Sequence, residues 1–214
     1  MTRKYTRADS FVYRFDAALR TLVPRAAPAL RPSPASRDVR DGAMDDEERR
    51  HAAGLMRIHH AGEVCAQALY QGQGLTAGLP ERRGQMEDAA RGEASHLAWC
   101  GARLHELHDR TSRLTPFFYV ASLSLGVAAE AAGHRVGLGL AAATEEQLGK
   151  LLDKHLERLP PGDQRSRAVL RQMRIDTAHH AQLALEAGAM RFPMPVKAGM
   201  SLVANGIATS VYRI

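Results

Sequence analysis

The chain has 214 residues, a net charge of +6 at pH 7 and a pI near 9.7, and this length fits one ordinary domain with a substantial core plus tails. Its 45% hydrophobic and 24% charged residues are a globular balance, and only 5% of its residues are aromatic. Because basic patches with interleaved aromatic residues are missing, the composition argues against DNA or RNA as a partner and favours an anionic membrane surface.

Cysteine usage predicts a reducing, cytoplasmic setting, and hydropathy predicts no targeting or membrane-spanning segment. Cys65 and Cys100 are the only cysteines, which is too few for a disulfide framework and not the spacing of a zinc site. Charges interrupt the first fifteen residues, so no signal peptide is expected. The longest apolar run, residues 116–129, is about half the length that a bilayer span requires, so no transmembrane helix is expected either.

The N-terminal part predicts a short amphipathic helix followed by an extended connector. Apolar residues at helical intervals indicate a helix over residues 8–23, with Asp9 or Ser10 as its N-cap. Four prolines follow within residues 24–38, and prolines exclude regular helix there.

Long helical patterns fill the rest of the chain. They span residues 45–74, 82–110, 115–158 with a break near 133–139, and 163–188, and a final amphipathic helix is expected at 194–212. Alternating β-type runs are scarce, so the predicted class is all-α, with an antiparallel four-helix bundle and additional N-terminal and C-terminal amphipathic helices. The predicted division is residues 1–40, the first helix and connector, and residues 41–214, the bundle domain with its C-terminal helix.

An acid and a histidine interrupt one of the apolar stripes. Glu93 and His96 stand three residues apart on a helix face that is otherwise apolar. Burying an ionised carboxylate is costly without a partner, and a cation is the usual compensation. Glu48 and His51 have the same spacing, but they lie in a charged first turn, so we interpret them as a solvated helix start.

The other long helices carry matching groups. Glu63 and Glu145 each stand alone on an apolar stripe, whereas Glu146 lies on a polar face, and Asp176 and His180 lie one turn apart further on. This set matches ferritin-like di-iron or di-manganese bundles, in which two helices give a Glu each and two give Glu-x-x-His. Oxygen-rich ligands with two imidazoles favour iron or manganese over thiolate-bound zinc.

The segments around these residues resemble the demethoxyubiquinone hydroxylases, the di-iron monooxygenases of ubiquinone biosynthesis. The resemblance rests on HHAGEVCAQALYQGQ (59–73), GEASHLAWC (92–100), ATEEQL (143–148) and QMRIDTAHH (172–180), and it extends over nearly the whole chain. It implies two iron ions per chain, with ligands at Glu63, Glu93, His96, Glu145 and His180.

One position departs from the pattern of that family. Thr177 stands where the family's D-E-x-x-H motif has its liganding glutamate. Two replacements are open: Asp176 reaches the metal together with His180, or Asp176 pairs with His179 in a register shifted by one residue. We favour the first, because His180 continues the apolar stripe. If neither holds, the second iron is bound weakly.

The resemblance also implies a reaction, partners and a location. The expected reaction is the O₂-dependent hydroxylation of 2-polyprenyl-3-methyl-6-methoxy-1,4-benzoquinol. The prenyl tail implies access from a bilayer, so we expect a peripheral protein on the cytoplasmic side of the cell membrane, with residues 116–129 and 195–214 as candidate contact segments. Accessory proteins of the ubiquinone pathway are further candidate partners. The alternatives are a ferritin-like iron-handling protein without a quinol substrate, and a non-catalytic bundle that has lost the metal site.

Overall fold

The computed structural model describes residues 6–35 and 38–214, and within those ranges it contains helices and no strand. The helices are α1 (Arg7–Leu22), α2 (Asp46–Thr76), α3 (Pro80–Glu106), α4 (Thr115–Ala131), α5 (His134–Arg158), α6 (Gln164–Glu186) and α7 (Met194–Val211). The all-α prediction is therefore confirmed. The predicted N-terminal unit, 1–40, includes residues 1–5 and 36–37, which lie outside the described part of the chain, and its boundary stays a prediction.

Side-chain caps explain where the first two helices begin. Thr6 caps α1 and forms a reciprocal capping box with Asp9, so the predicted N-cap at Asp9 or Ser10 is wrong by one turn. At α2 the N-cap is Asp45, whose partner in the box is Glu48. The interpretation of Glu48 as part of a helix start is thus confirmed. His51, interpreted as solvated with it, is half-buried instead, and its ring nitrogens lie 2.6 Å from the Tyr212 hydroxyl and 2.9 Å from the Arg158 carbonyl.

The third helical pattern is two helices, α4 and α5, and the break falls at Gly133. Its backbone φ is +138°, a conformation that favours glycine. Helix α4 then packs along α2, where Gly72 and Gly126 let the two backbones approach, because a Cβ at either would clash with the other helix's backbone. The break predicted near residues 133–139 is therefore confirmed.

Four helices form the bundle that carries the predicted site. Short connections join α2 to α3 and α5 to α6 as adjacent pairs, and α4 makes the crossover between the pairs, which is the ferritin-like arrangement. Helix α1 packs on α2 and α4, and α7 packs on α2 and α5. The additional terminal helices predicted from the sequence are therefore present.

Two apolar cores lie at different heights of the bundle. The main core contains Leu55, Met56, Trp99, Cys100, Leu104, Leu152, Leu170 and Met173. The second core contains Leu69, Tyr70, Met86, Leu138, Leu140 and Ala141. Along α2, α3 and α5, the residues between the two cores include the predicted acids, so the site occupies a polar layer between two apolar ones.

The connector before α2 lies over α3. The amides of Leu30 and Arg31 donate to Ser95 Oγ at 3.0 and 3.1 Å, and Trp99 Nε1 donates to the Arg31 carbonyl at 3.3 Å. The Arg31 guanidinium also stacks over the Trp99 ring, 5.0 Å from its centroid. These contacts place Arg31 beside the polar layer.

Within the described residues, no helix combines the length and the apolar character that crossing a membrane would take.

Candidate metal centre

Five of the six predicted ligands meet in the polar layer. Glu63, Glu93 and His96 bring donor atoms within 4.8 Å of one another, and so do Glu93, Glu145 and His180. Glu93 belongs to both groups. Each of the four bundle helices contributes to this centre, as the spacing of the acids and histidines predicts.

The donor atoms face one another without forming hydrogen bonds. His96 Nδ1 lies 2.7 Å from one Glu93 oxygen, and His180 Nδ1 lies 2.5 Å from the other. Both nitrogens and both Glu63 oxygens nevertheless lack a partner with hydrogen-bond geometry. Because buried polar atoms are normally paired, this concentration of unpaired donors points to cations between them.

The electrostatics of the centre show a shortage of positive charge. Burial raises the pKa of Glu63 to about 7. Burial, followed by the charges of Glu93 and Glu63, raises the pKa of Glu145 well above its ordinary value. Burial alone would lower the pKa of His96, but its contacts with Asp176, Glu63 and Glu93 outweigh this and raise it to about 12. Burial alone would raise the pKa of Glu93, but its contacts with His180 and His96 outweigh this and lower it to about 2. Glu63 and Glu145 are therefore the carboxyl groups whose protons a divalent cation would displace.

Asp176 contacts the far edge of the His96 ring. Its Oδ2 lies 2.8 Å from His96 Nε2, Gln172 donates to its Oδ1 at 2.9 Å, and Arg31 pairs with Oδ2. Since Nδ1 of His96 faces the other ligands, a carboxylate at Nε2 fixes the orientation and tautomer of the ring. The structure does not bring Asp176 into either donor group, in contrast to the arrangement favoured from the sequence.

Thr177 leaves the His180 side of the centre one carboxylate short. Its side chain is buried beside Gly149 of α5, and its Oγ1 has no partner. His179 is exposed, whereas His180 contacts Glu93. The geometry thus favours the unshifted register and offers no protein carboxylate at position 177.

Comparison with known proteins agrees with this geometry. The family model described as "Ubiquinone biosynthesis protein COQ7" matches residues 50–210. The chain belongs to this family. It is 58% identical over 214 residues to the 3-demethoxyubiquinol 3-hydroxylase of Chromohalobacter salexigens, with both chains covered completely. It is 54% identical over 212 residues to the proteins of that name from Pseudomonas fluorescens and Pseudomonas aeruginosa, covering 99% of this chain and 98% of each relative.

The side chains present fit the pair of metal ions that this di-iron family implies. Three carboxylates and two imidazoles converge from four helices, a donor set that suits iron or manganese. Glu93 stands between the two groups, where one carboxylate can serve both ions. The fit is complete at the His96 side and lacks one carboxylate at Thr177.

A large apolar cavity reaches this centre through Tyr70. The cavity has a volume of about 940 Å³ and lies between α1, the connector, α2, α3 and α4. Its apolar lining includes Phe11, Phe15, Leu30, Met86, Tyr119 and Leu123. Tyr70 lines it as well, and its hydroxyl donates to Glu145 Oε1 at 3.1 Å.

The sequence reasoning missed the residues that surround the ligands. No role is predicted for Tyr70, although its place two turns beyond Glu63 on one helix face was a signal. Arg31 lies in a proline-rich connector where no periodicity indicates its direction. Asp176 is predicted to act with His180, whereas in the structure its carboxylate contacts His96 of α3, because spacing along one helix does not show which neighbouring helix a side chain meets.

Proposed function

We propose that this protein is a 3-demethoxyubiquinol 3-hydroxylase that uses two iron ions and O₂ to hydroxylate a polyprenyl benzoquinol in ubiquinone biosynthesis. Membership of the family and the names of full-length relatives support the hydroxylase activity. The five converging ligands support the iron ions. Accessory proteins of the pathway stay a prediction.

The observation that carries this proposal is the contact between the apolar cavity and the candidate centre. Tyr70 belongs to both, since it lines the cavity and donates its hydroxyl to Glu145. A quinol ring entering from the cavity therefore arrives beside the ligands, while its apolar tail stays among the aromatic and aliphatic side chains of α1 and α4. Burial raises the pKa of Tyr70 well above its ordinary value, so the hydroxyl stays a hydrogen-bond donor.

The side chains of the centre have distinct roles in this proposal. Bound iron ions would supply the activation of O₂ for insertion of one oxygen atom. Glu63 and His96 would hold one ion, Glu145 and His180 the other, and Glu93 both. Asp176, held by Arg31, orients His96. The apolar cavity excludes water from the reacting ring.

An iron-handling protein of the ferritin-like type is the second candidate. It accounts for the ligands but not for an apolar cavity that ends at Tyr70, whose hydroxyl donates to Glu145. A metal-free scaffold accounts for neither, because it leaves several buried donor atoms unpaired.

The test is reconstitution with Fe²⁺, a short-tailed demethoxyubiquinol, a reductant and ¹⁸O₂. We expect about two iron ions per chain and a hydroxylated quinone that carries the label in its new hydroxyl group. Iron uptake without labelled product would favour the iron-handling alternative, and failure to bind iron would favour the scaffold. A Thr177→Glu variant assayed in parallel shows whether the natural chain works with the incomplete centre.

We also propose a peripheral location on the cytoplasmic side of the membrane. Three helices expose apolar side chains: α1 at Phe11 and Val12, α4 at Phe117, and α7 at Leu202 and Val203. Phe11 and Phe15 of α1 lie at the cavity, so an apolar substrate would enter where apolar side chains face outward.

Vesicle co-sedimentation tests this location. Val12 is 63% exposed and does not line the cavity, so Val12→Glu should weaken binding to anionic vesicles without changing the metal content. Glu157→Gln, on an exposed position of α5, is the control for a surface change elsewhere. Equal vesicle binding by Val12→Glu and the natural chain would contradict a role for α1 at the membrane.

A further inference from the structure

A cluster of polar side chains lies in the wall of the apolar cavity. It consists of Thr21 of α1, Gln67 and Gln71 of α2, and Tyr119 of α4, and we call it the glutamine patch. Thr21 and Gln67 are only 3% and 6% exposed. Sites for small molecules are mostly apolar, with a few converging polar groups that fix the orientation of the ligand. The glutamine patch therefore has the character of a site for the polar end of an apolar ligand.

Hydrogen bonds within the patch determine which end of each amide points where. The Thr21 hydroxyl donates to the Ala17 carbonyl at 2.9 Å, so its oxygen accepts from Gln71 Nε2 at 3.0 Å. The other end of that amide, Gln71 Oε1, accepts from the Tyr119 hydroxyl at 2.6 Å. Gln71 Nε2 also lies 3.4 Å from Gln67 Oε1. Because Gln71 presents a donor there, the Gln67 atom that faces it is the amide oxygen.

The amide nitrogen of Gln67 is thereby turned away from the patch. This Nε2 forms no hydrogen bond with any residue that the structure describes, and it is not sealed from solvent. Since Gln67 is largely buried and lines the cavity, the cavity is the space that the nitrogen reaches. An amide NH₂ group donates two hydrogens and does not accept. The patch thus presents a donor to the molecule that fills the cavity.

The position of Gln67 along α2 brings this donor close to the candidate metal centre. Gln67 follows Glu63 by four residues and precedes Tyr70 by three, and residues at these spacings share one helix face, about 5–6 Å apart at Cβ. Tyr70 lines the cavity and donates to Glu145. A ring held by Gln67 therefore lies at the end of the cavity that adjoins the ligands.

We propose that the side-chain amide of Gln67 donates a hydrogen bond to a ring oxygen of the benzoquinol and so orients the ring at the candidate centre. Apolar contacts are not directional, so the cavity wall alone would leave the ring free to turn over. The carbon to be hydroxylated is the neighbour of a carbon that carries a ring oxygen. A donor on that oxygen therefore fixes the reacting carbon relative to the ligands. The inference rests on the proposed hydroxylase function for the identity of the ligand.

The other members of the patch hold Gln67 in place. Gln71 donates to its Oε1, and Tyr119 holds Gln71 from the opposite end. Burial raises the pKa of Tyr119 to about 12, so its hydroxyl stays a hydrogen-bond donor at neutral pH. A side chain that is fixed before the ligand arrives loses less conformational entropy on binding. Gln71 and Tyr119 are therefore positioning residues, and Gln67 is the residue that contacts the ring.

Quinone binding to full-length protein loaded with Zn²⁺ tests the contact without turnover. The probe is 2-prenyl-3-methyl-6-methoxy-1,4-benzoquinone, and prenylbenzene is the apolar control ligand. Gln67→Met keeps the length of the side chain and removes the donor, so the Kd of the quinone should rise about threefold to tenfold, as for one neutral hydrogen bond. The Kd of prenylbenzene should not change. Gln147→Met, at a half-buried glutamine that donates to the Lys197 carbonyl outside the cavity, should change neither Kd.

Two results of this titration would overturn the contact. An unchanged quinone Kd in Gln67→Met would mean that no hydrogen bond forms, and an equal rise for both ligands would mean that the variant only alters the packing of the cavity. The same quinone without its methoxy group separates the two kinds of oxygen. The effect of Gln67→Met should persist with this probe, and its loss would assign the contact to the methoxy oxygen, against the proposal.

Nitrogen-15 NMR of glutamine-labelled, Zn²⁺-loaded protein observes the donor itself. The side-chain resonance of Gln67 is the one that is missing from Gln67→Met. The quinone should move its hydrogens downfield, because hydrogen bonding deshields them, whereas prenylbenzene should not. Tyr119→Phe should reduce this shift, because Gln71 then loses the partner that fixes it. A Gln67 resonance that responds equally to both ligands would contradict the proposal.

Kinetics of the iron-loaded protein separate this inference from the proposed function. Gln67→Met should raise the KM for the quinol about threefold to tenfold, and a smaller fraction of the consumed O₂ should appear in product, with iron content unchanged. If the natural chain hydroxylates the quinol and Gln67→Met matches it in KM and in this fraction, the inference fails while the proposed function stands. If Gln67 governs quinone binding in a chain that does not hydroxylate, the reverse holds. Absence of quinone binding by the natural chain would overturn both.

Discussion

The two halves of the candidate centre differ in how deeply their ligands are buried and in how many carboxylates they contain. On the His96 side, all three ligands are essentially buried and the outer nitrogen of the histidine is held by Asp176. On the His180 side, the histidine side chain is 25% exposed and Thr177 occupies the place of a carboxylate.

The outer nitrogens show the same contrast. His96 Nε2 has a carboxylate that is itself fixed by Gln172 and Arg31. The residue near His180 Nε2 is Gly92, where a Cβ would lie 3.9 Å from that nitrogen. Because glycine has no side chain, it provides no hydrogen-bond acceptor for His180. Metal affinity depends on both direct ligands and the groups that orient them. The comparison therefore teaches that the two ions should bind unequally, with the His96 side filled first.

The largest effect, on iron content, is expected at Glu93, which belongs to both halves. Glu93→Gln removes the carboxylate shared by both donor groups while keeping its size, so iron bound per chain should fall from near saturation to almost none. Metal analysis after gel filtration measures this. Asp88→Asn, an exposed position on the same helix, should leave the iron content unchanged. Retention of one tightly bound iron by Glu93→Gln would show that the halves are independent.

The next largest effect is expected from Thr177→Glu, which should make the metal affinities of the two halves similar. Thr177→Glu supplies the missing carboxylate. Removing a group that only orients a ligand changes metal affinity by about 10–100-fold, and a direct ligand contributes more than such a group. The affinity of the weaker site should therefore rise by more than about 100-fold. Calorimetric titration with Mn²⁺ should change from two unequal steps towards one. Thr177→Gln has the same length without the charge and should not do so. A gain with Gln as large as with Glu would mean that packing, not coordination, limits the second site.

The convergence of the candidate ligands was largely predictable from the sequence, whereas the groups that support them were not. Glu63, Glu93, His96, Glu145 and His180 interrupt apolar stripes, and periodicity alone shows which way such residues face. The orienting contacts join distant parts of the chain, as Asp176 of α6 does with His96 of α3. Arg31 comes from a segment without periodicity, so only the folded chain shows where it lies.

The same limit applied to the fold. Helix class and approximate bounds follow from the apolar spacing, because one face of each helix must be buried. The break between α4 and α5 also follows from the sequence, at the glycines near residues 133–139, whereas the packing of α4 on α2 depends on Gly72 and Gly126 meeting the opposite backbone. Such contacts are properties of two helices together, and neither helix pattern contains them.

A smaller effect on metal affinity is expected from removing the carboxylate that orients His96. Asp176→Asn keeps the shape but removes the charge that holds His96, and loss of such a partner typically costs about 10–100-fold in metal affinity. The tighter of the two Mn²⁺ binding steps should weaken by this amount and approach the second. Asp153→Asn removes an exposed acid that pairs with Arg174 and should change neither step. If the weaker step alone shifted, Asp176 would belong to the His180 side, as the sequence first suggested.

The smallest effect is expected at Arg31, whose Nη2 also lies 3.3 Å from His96 Nε2. Its guanidinium pairs with Asp176 and is 46% exposed at the side chain, so solvent weakens the pairing and an exposed ion pair contributes only about 0–1 kcal/mol. Arg31→Gln should therefore weaken the tighter Mn²⁺ step by no more than about fivefold, the change that ~1 kcal/mol corresponds to. Arg20→Gln, which removes an equally exposed arginine paired with Asp16, is the control. If Arg31→Gln instead weakened binding as strongly as Asp176→Asn, the connector itself would be an organising part of the His96 side, and the difference between the halves would originate in the segment before α2 and not in α6.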